Sequence, residues 1–168
     1  MKKVYYNWQH VENLAQEILR QMALEAWRPD YVVGLTRGGL VPANLISQYL
    51  EVPMETLKVS LRDGDQSESN LWMAEDAFGY NMDRPKNILI VDDINDSGAT
   101  LQWIRDDWRS SCLPSDQRWD TVWGYNVRVA VLINNQVSEF KHVDYVGLNI
   151  NKFEEPVWCV YPWEAWWK

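Results

Sequence analysis

The sequence predicts an α/β domain whose parallel sheet carries helices on both faces. Short apolar runs bounded by turn residues alternate along the chain with amphipathic helical stretches, which is the pattern of such a sheet. The run Ile88, Leu89, Ile90, Val91 has no polar member, so it reads as a buried strand. It ends in Asp92 and Asp93. A small-residue turn, Asp96-Ser97-Gly98-Ala99-Thr100, then leads into an amphipathic segment. In sheets of this kind ligands bind at the carboxyl ends of the strands.

The elements follow in order. Asn7 to Ala26 places Trp8, Val11, Leu14, Ala15, Ile18, Leu19 and Met22 on one helical face, with Asn7 as N-cap and Pro29-Asp30 as the stop. Tyr31 to Leu35 reads as a short buried strand. A second helix begins near Pro42, a residue suited to a first helical turn, and runs to about Tyr49. Met54 to Val59 is a strand. Ser60 to Asp83 is polar, with Gly64, Gly79 and many acids, and reads mostly as a mobile excursion. After the central strand, a helix is expected from about Thr100 to Trp108. Ser110 to Asn126 is irregular. Val127 to Ile133 and Asp144 to Leu148 complete the strands.

Composition narrows the function. The 168 residues suffice for one domain with a sizeable core, expected to span residues 1–168. A net charge of −8 argues against a general nucleic-acid or anionic-membrane binder. It leaves room for an anionic substrate held by local backbone dipoles and Mg²⁺. No apolar run has the length of a membrane span and no signal peptide is visible. Cys112 and Cys159 are too few for a disulfide scaffold or zinc site, so a reducing cytoplasm is expected. Of the 11 tryptophans, Trp158, Trp163, Trp166 and Trp167 crowd the C-terminus, which suggests a packed or ligand-facing subregion there.

A strand ending in acids, followed by a small-residue loop at a helix start, suits a sugar phosphate. Backbone N–H groups and the helix dipole hold the phosphate. The carboxylates can accept from hydroxyls or reach a Mg²⁺. This stretch closely resembles the phosphoribosyl diphosphate (PRPP) signature of type I phosphoribosyltransferases, in which Asp92, Asp93, Asp96, Ser97, Gly98 and Thr100 occupy the fixed positions. The resemblance implies that Asp92 and Asp93 hold the ribose hydroxyls, directly or through Mg²⁺. It implies that Asp96, Ser97, Gly98, Ala99 and Thr100 bind the 5′-phosphate. Asp96 would take a proton from the base nitrogen or hold it in a hydrogen bond.

A second loop, within Gly34 to Ala43, also follows a strand and precedes a helix. Gly38 and Gly39 free its backbone for uncommon dihedrals and for presenting N–H groups to an anion, and Arg37 adds a fixed cation. Thr36, Arg37, Gly38 and Gly39 resemble the pyrophosphate loop of the xanthine-guanine type within that family. That loop often holds a non-proline cis peptide, expected here around Leu35 to Arg37. By the same resemblance, Lys58 to Asp63 occupies the place of a catalytic lid. Ser60 and Arg62 are its candidate residues, Lys58 or Arg62 could touch pyrophosphate, and the mobile loop spans about residues 60–83. Trp158-Cys159-Val160-Tyr161-Pro162-Trp163-Glu164 resembles the family's C-terminal hood, set at about residues 135–168. Trp158 would stack on the base, Cys159 would offer backbone contacts, and Trp163 reads as core.

One departure concerns the purine edge. Relatives that use 6-oxopurines carry a Lys at the end of the strand before the hood, where this chain has Asn134 and Asn135. Asn can donate or accept, so the choice among hypoxanthine, guanine, xanthine and adenine stays open. The implied reaction transfers phosphoribosyl from PRPP to a purine, a 6-oxopurine by expectation. It gives a nucleoside 5′-monophosphate and pyrophosphate in purine salvage. The competitors are a non-catalytic PRPP-binding regulator and a transferase for adenine or another acceptor. Relatives are commonly homodimers or homotetramers.

Overall fold

The computed structural model describes residues 1–59, 61 and 70–168. Its elements are β1 (Lys2–Tyr5), α1 (Trp8–Leu24), β2 (Tyr31–Thr36), α2 (Leu40–Leu50), β3 (Met54–Lys58), α3 (Leu71–Phe78), β4 (Ile88–Asn95), α4 (Ala99–Ser111), a 3₁₀ turn at Gln117–Thr121, β5 (Val127–Asn135), β6 (Tyr145–Ile150) and β7 (Val157–Val160). Five strands form the main sheet in the order β3-β2-β4-β5-β6, and every pairing in it is parallel.

Alternation along the strands builds two cores. Val33, Leu35, Ile88, Ile90, Val129 and Val131 face α3 and α4, among Met73, Phe78, Leu101, Ile104 and Trp108. Val32, Leu89, Val91, Ala130 and Leu132 face α1 and α2, among Val11, Ile18, Met22, Ala43 and Ile46. Helices on both faces are the reason the first four residues of β4, Ile88 to Val91, are all apolar and buried. Asn7 caps α1 as expected: its Oδ1 accepts from the His10 N–H at 2.8 Å, and the His10 ring nitrogen Nδ1 accepts from the Asn7 N–H at 3.0 Å.

Three elements differ from expectation. Residues 71–78, inside the segment read as a mobile excursion, form α3. Its Met73, Ala74, Ala77 and Phe78 are buried. Tyr31 donates to Asp76 Oδ2 at 2.9 Å and Asn126 Nδ2 donates to Ala77 O at 2.9 Å, so this helix is bonded into the core. Its acids disguised it, since half of an amphipathic helix is polar by design. Ser60 and Arg62, the candidate residues of the expected lid, lie outside the described residues. The other two elements are β1 and β7, which form a separate parallel pair with Lys3 beside Trp158 and Val4 beside Cys159. A strand of four residues carries too little periodicity to be read from one chain.

The strand order reverses between β2 and β4, because the chain leaves β2 toward β3 on one side and leaves β4 toward β5 on the other. β4 also outruns β2. Their pairing ends at Gly34 with Val91, whereas β4 continues beside β5 as far as Asn95 with Asn134. Asp92 and Asp93 therefore stand where β2 has already turned away, the crevice in which such sheets bind ligands.

Candidate active site

The first loop leaves β2 through a cis peptide between Thr36 and Arg37, within the range expected. Neither Gly38 nor Gly39 adopts a positive φ, contrary to the expectation of unusual dihedrals, and Gly39 sits at −78°. Their glycines answer to space instead. A Cβ on Gly38 would lie 2.3 Å from Asp93 Oδ2, and one on Gly39 would lie 2.4 Å from the Val91 carbonyl oxygen. The loop expected to hold pyrophosphate thus packs directly on the Asp92/Asp93 pair. Arg37 is exposed at its tip, and Lys58 pairs in register with Thr36 at the end of β3.

The second loop follows β4. Gly98 has φ +91° and caps α4 with no side chain of its own, a conformation that favours glycine. It is also wedged, since a Cβ there would meet the Phe140 N at 2.5 Å. Asp96 and Ser97 are exposed and Thr100 is half-buried at the start of the helix. Ser97 Oγ accepts from the Ala99 N–H at 3.2 Å. Residues 92–101 line a cavity of about 220 Å³ at this helix start, where amide donors and the helix dipole favour an anion. The loop is propped from behind: Glu139 N–H donates to Ser97 O at 3.0 Å, and Ser138 Oγ donates to the buried Asn95 Oδ1 at 2.9 Å.

Asp92 and Asp93 are partly buried and close together. Burial pushes the Asp92 carboxyl well above its ordinary range, and the Asp93 charge pushes it the same way. Burial also raises Asp93, against the N–H of Ile94, which donates to its Oδ1 at 2.9 Å. Two crowded carboxylates relax by holding a proton, by meeting a cation, or by accepting from hydroxyls. Among the described residues no group of three or more His, Cys, Asp or Glu side chains is arranged to hold a metal. The pair therefore fits Mg²⁺ of the kind that takes one or two carboxylates and completes its shell with water and substrate oxygens.

A second cleft, of about 140 Å³, opens beside this pair. Asp93, Asp96, Lys152, Trp158, Cys159 and Tyr161 are among its lining residues. Alternation along β7 buries Val157 and Cys159 and leaves Trp158 half-exposed on the opposite side. Trp163 stacks on Tyr161 at 4.7 Å, consistent with a packing role. Tyr161 donates to the Asp93 carbonyl oxygen at 2.9 Å, tying the hood to the acid pair. Burial and the Asp93 charge hold the Tyr161 phenol far above its ordinary value, so it remains a donor at any working pH.

The asparagines expected at the purine edge are occupied within the protein. Asn134 Nδ2 donates to Asn149 Oδ1 at 3.0 Å while its Oδ1 accepts from Asn95 at 2.9 Å. Asn135 Nδ2 donates to the Asp96 Oδ1 and O atoms, both at 3.2 Å, and its Oδ1 accepts from the Lys152 N–H at 3.1 Å. The cation in the cleft is Lys152, at 3.0 Å from Asp96 Oδ1. Sequence reasoning missed Lys152 and gave Tyr161 no role. The signal for Lys152 was its being the only Lys or Arg between Lys141 and Lys168. Tyr161 had none, because it sits among many aromatics.

Comparison with known proteins agrees with this geometry. The phosphoribosyl transferase domain model matches residues 3–162, and the chain belongs to that family. Xanthine phosphoribosyltransferase 1 of Saccharomyces cerevisiae is 23% identical over 121 residues, covering 61% of this chain and 58% of the relative. A xanthine-guanine phosphoribosyltransferase of Cereibacter sphaeroides is 43% identical over 82 residues, covering 48% of this chain and 47% of the relative. The matched part is thus about half of each of these two curated relatives. A solved purine phosphoribosyltransferase of Pyrococcus horikoshii shares the fold at a TM-score of 0.66, with 22% identity over 98% of this chain and 95% of that one.

Proposed function

We propose that the protein is a purine phosphoribosyltransferase. It moves the phosphoribosyl group of PRPP to a 6-oxopurine, releasing pyrophosphate and a nucleoside 5′-monophosphate. The observation that carries this reading is the meeting at Asp93. This residue abuts Gly38 of the first anion loop, lies on the strand that feeds the second, and lines the Trp158 cleft. Three ligand fragments, pyrophosphate, ribose 5-phosphate and a flat base, converge on one strand end.

In this reading Thr36, Arg37, Gly38 and Gly39 hold pyrophosphate and stabilise charge as it leaves. Asp92 and Asp93 accept from the ribose hydroxyls and supply carboxylates for Mg²⁺. When bound, Mg²⁺ neutralises charge on the departing oxygens. Asp96, Ser97, Gly98, Ala99 and Thr100 hold the 5′-phosphate. Asp96 accepts the proton of the base nitrogen. Trp158 offers an apolar, polarisable face to the base, and Cys159 contributes backbone. Ser60 and Arg62 belong to the lid by resemblance. A homodimer or homotetramer working in the cytoplasm completes the reading, supported by resemblance. Among the described residues no helix is long and apolar enough to cross a membrane.

The test is incubation with PRPP, Mg²⁺ and a panel of nucleobases, reading nucleotide and pyrophosphate together. Formation of both in equal amounts with hypoxanthine, guanine or xanthine is expected. PRPP binding without product from any base would instead make this a regulator.

A further inference from the structure

The loop assigned to the 5′-phosphate is held from behind by one stretch of chain, residues 135–140. Asn135 Nδ2 donates to the Asp96 carbonyl oxygen at 3.2 Å. The Glu139 N–H donates to the Ser97 carbonyl oxygen at 3.0 Å. A Cβ on Gly98 would meet the Phe140 N at 2.5 Å and Ser138 Oγ at 2.6 Å. Three successive loop residues thus rest on the same segment. We propose that Asn135 is a positioning residue for the 5′-phosphate: by holding the Asp96 carbonyl back, it aims the Ser97 N–H into the phosphate cavity. The inference rests on the phosphoribosyl reading above.

A trans peptide is planar, and its C=O and the N–H that follows point in opposite directions. The peptides of this loop are trans. A carbonyl fixed on one side therefore fixes the next amide on the other. Residues 92–101 line the cavity, and Asn135 and Glu139 stand outside that lining. With the Asp96 and Ser97 carbonyls turned to the segment, the N–H groups of Ser97 and Gly98 turn toward the cavity. Successive N–H groups on one side form a concave donor array that suits an anion. Donors fixed before the ligand arrives need no reordering when it binds.

The segment is a firm support because it is bolted to the strand that feeds the loop. Asn95, 1% exposed, is the last residue of β4. Its Nδ2 donates to the Phe140 carbonyl oxygen at 3.0 Å, and its Oδ1 accepts from Ser138 Oγ at 2.9 Å. Ser138 Oγ in turn accepts from the Phe140 N–H at 3.2 Å. Asn135 is also buried, and its Oδ1 accepts from the Lys152 N–H at 3.1 Å. A buried amide engaged at both ends is held in one orientation. The sequence suggests Asn135 for the purine edge, whereas its partners in the fold put it behind the phosphate.

The test is calorimetry on the full chain with Mg²⁺, using ribose 5-phosphate to read this loop and pyrophosphate to read the first. Asn135→Ala should bind ribose 5-phosphate roughly tenfold more weakly, the worth of one hydrogen bond to a charged group. Pyrophosphate should bind as in wild type. Amide NMR locates the effect. Ribose 5-phosphate should move the Ser97 and Gly98 amide protons downfield in wild type. In Asn135→Ala the Ser97 shift should shrink, while Gly98, aimed by the Glu139 backbone, keeps most of its own. Ser138→Ala frees the segment from Asn95 and should show the same selective loss of ribose 5-phosphate, which keeps the test open if Asn135→Ala does not fold. Equal losses for both ligands, undiminished ribose 5-phosphate affinity, or an unchanged Ser97 shift in folded Asn135→Ala overturns the inference and leaves the transferase reading standing. Wild-type protein that binds no ribose 5-phosphate overturns the reading of the loop and this inference with it.

Discussion

Gly38 and Gly39 are neighbours with different neighbours of their own, so a methyl group at each has a different consequence. At Gly38 it strikes the carboxylate of Asp93, a side chain that can swing aside. At Gly39 it strikes the carbonyl of Val91 and the backbone of Leu35, which cannot move without breaking the β2–β4 packing. Gly38→Ala should therefore melt near the wild-type temperature while losing most of its PRPP affinity in calorimetry. Gly39→Ala should lose stability outright, by roughly 1–3 kcal/mol for overpacking. Melting curves and PRPP titrations of both variants check the pair, and a destabilised Gly38→Ala with normal PRPP affinity would contradict the assignment. At this scale the sequence was legible wherever spacing along the chain carries the chemistry. Asp92, Asp93 and the Asp96 to Thr100 turn could be read because one strand and one helix start position them all. Asn134 and Lys152 could not, because their partners come from other strands and a distant segment. Such contacts leave no trace in local spacing.

The N-terminal strand shows how an element far from the chemistry can set it. β1 lends no residue to the lining of the two site cavities, yet it pairs with β7, and β7 carries Trp158. The Tyr6 N–H continues the ladder to Val160 O at 2.9 Å. The stacks of Tyr6 on Tyr161 and of Trp8 near Trp163 extend the same contact. Val4→Pro, in mid-strand, removes a backbone donor and should loosen this pair. The base KM is then expected to rise by roughly fivefold, the worth of one hydrogen bond, while the PRPP KM stays near wild type. Equal changes in both constants would show that β1 supports the whole fold and not the hood. The five sheet strands and the helices α1 and α4 were legible from apolar runs and period, and α2 from Pro42 at its first turn. β1, β7 and α3 were not. The first two are four residues each, and α3 is eight residues whose buried face includes an acid, Asp76.

The whole molecule is acidic, at −8, and its expected substrates are anions. Local fields reconcile the two. A helix start, a glycine loop and Arg37 gather donors at one end of the sheet, and Mg²⁺ would offset the acids there. Away from that end, Asp144 offers a separate probe of the fold. Burial pushes its carboxyl up to about 6, against the Val129 N–H and Arg128, with Glu25 adding to the rise. The Val129 N–H donates to Asp144 Oδ2 at 2.8 Å. The unfolded value is about 3.9, so the folded protein holds this proton more tightly. Its contribution to stability is present below about pH 4 and is lost as pH rises through about 6. Partial exposure reduces the full shift to roughly 1–2 kcal/mol. Asp144→Asn keeps an acceptor for Val129 and should melt about 2–8 °C above wild type at pH 7, with the gap closing toward pH 4. A gap that does not change with pH would contradict the buried-acid account.

The central claim is that Asp93 joins two anion loops and a base cleft into one transferase site, and base-dependent pyrophosphate release measures it most directly. With PRPP and Mg²⁺, wild-type protein should release pyrophosphate only when a 6-oxopurine is added. Asp93→Asn, folded and melting near wild type, should lose on the order of a hundredfold or more of that rate. Release that ignores the base, or a folded Asp93→Asn variant with undiminished rate, would contradict it.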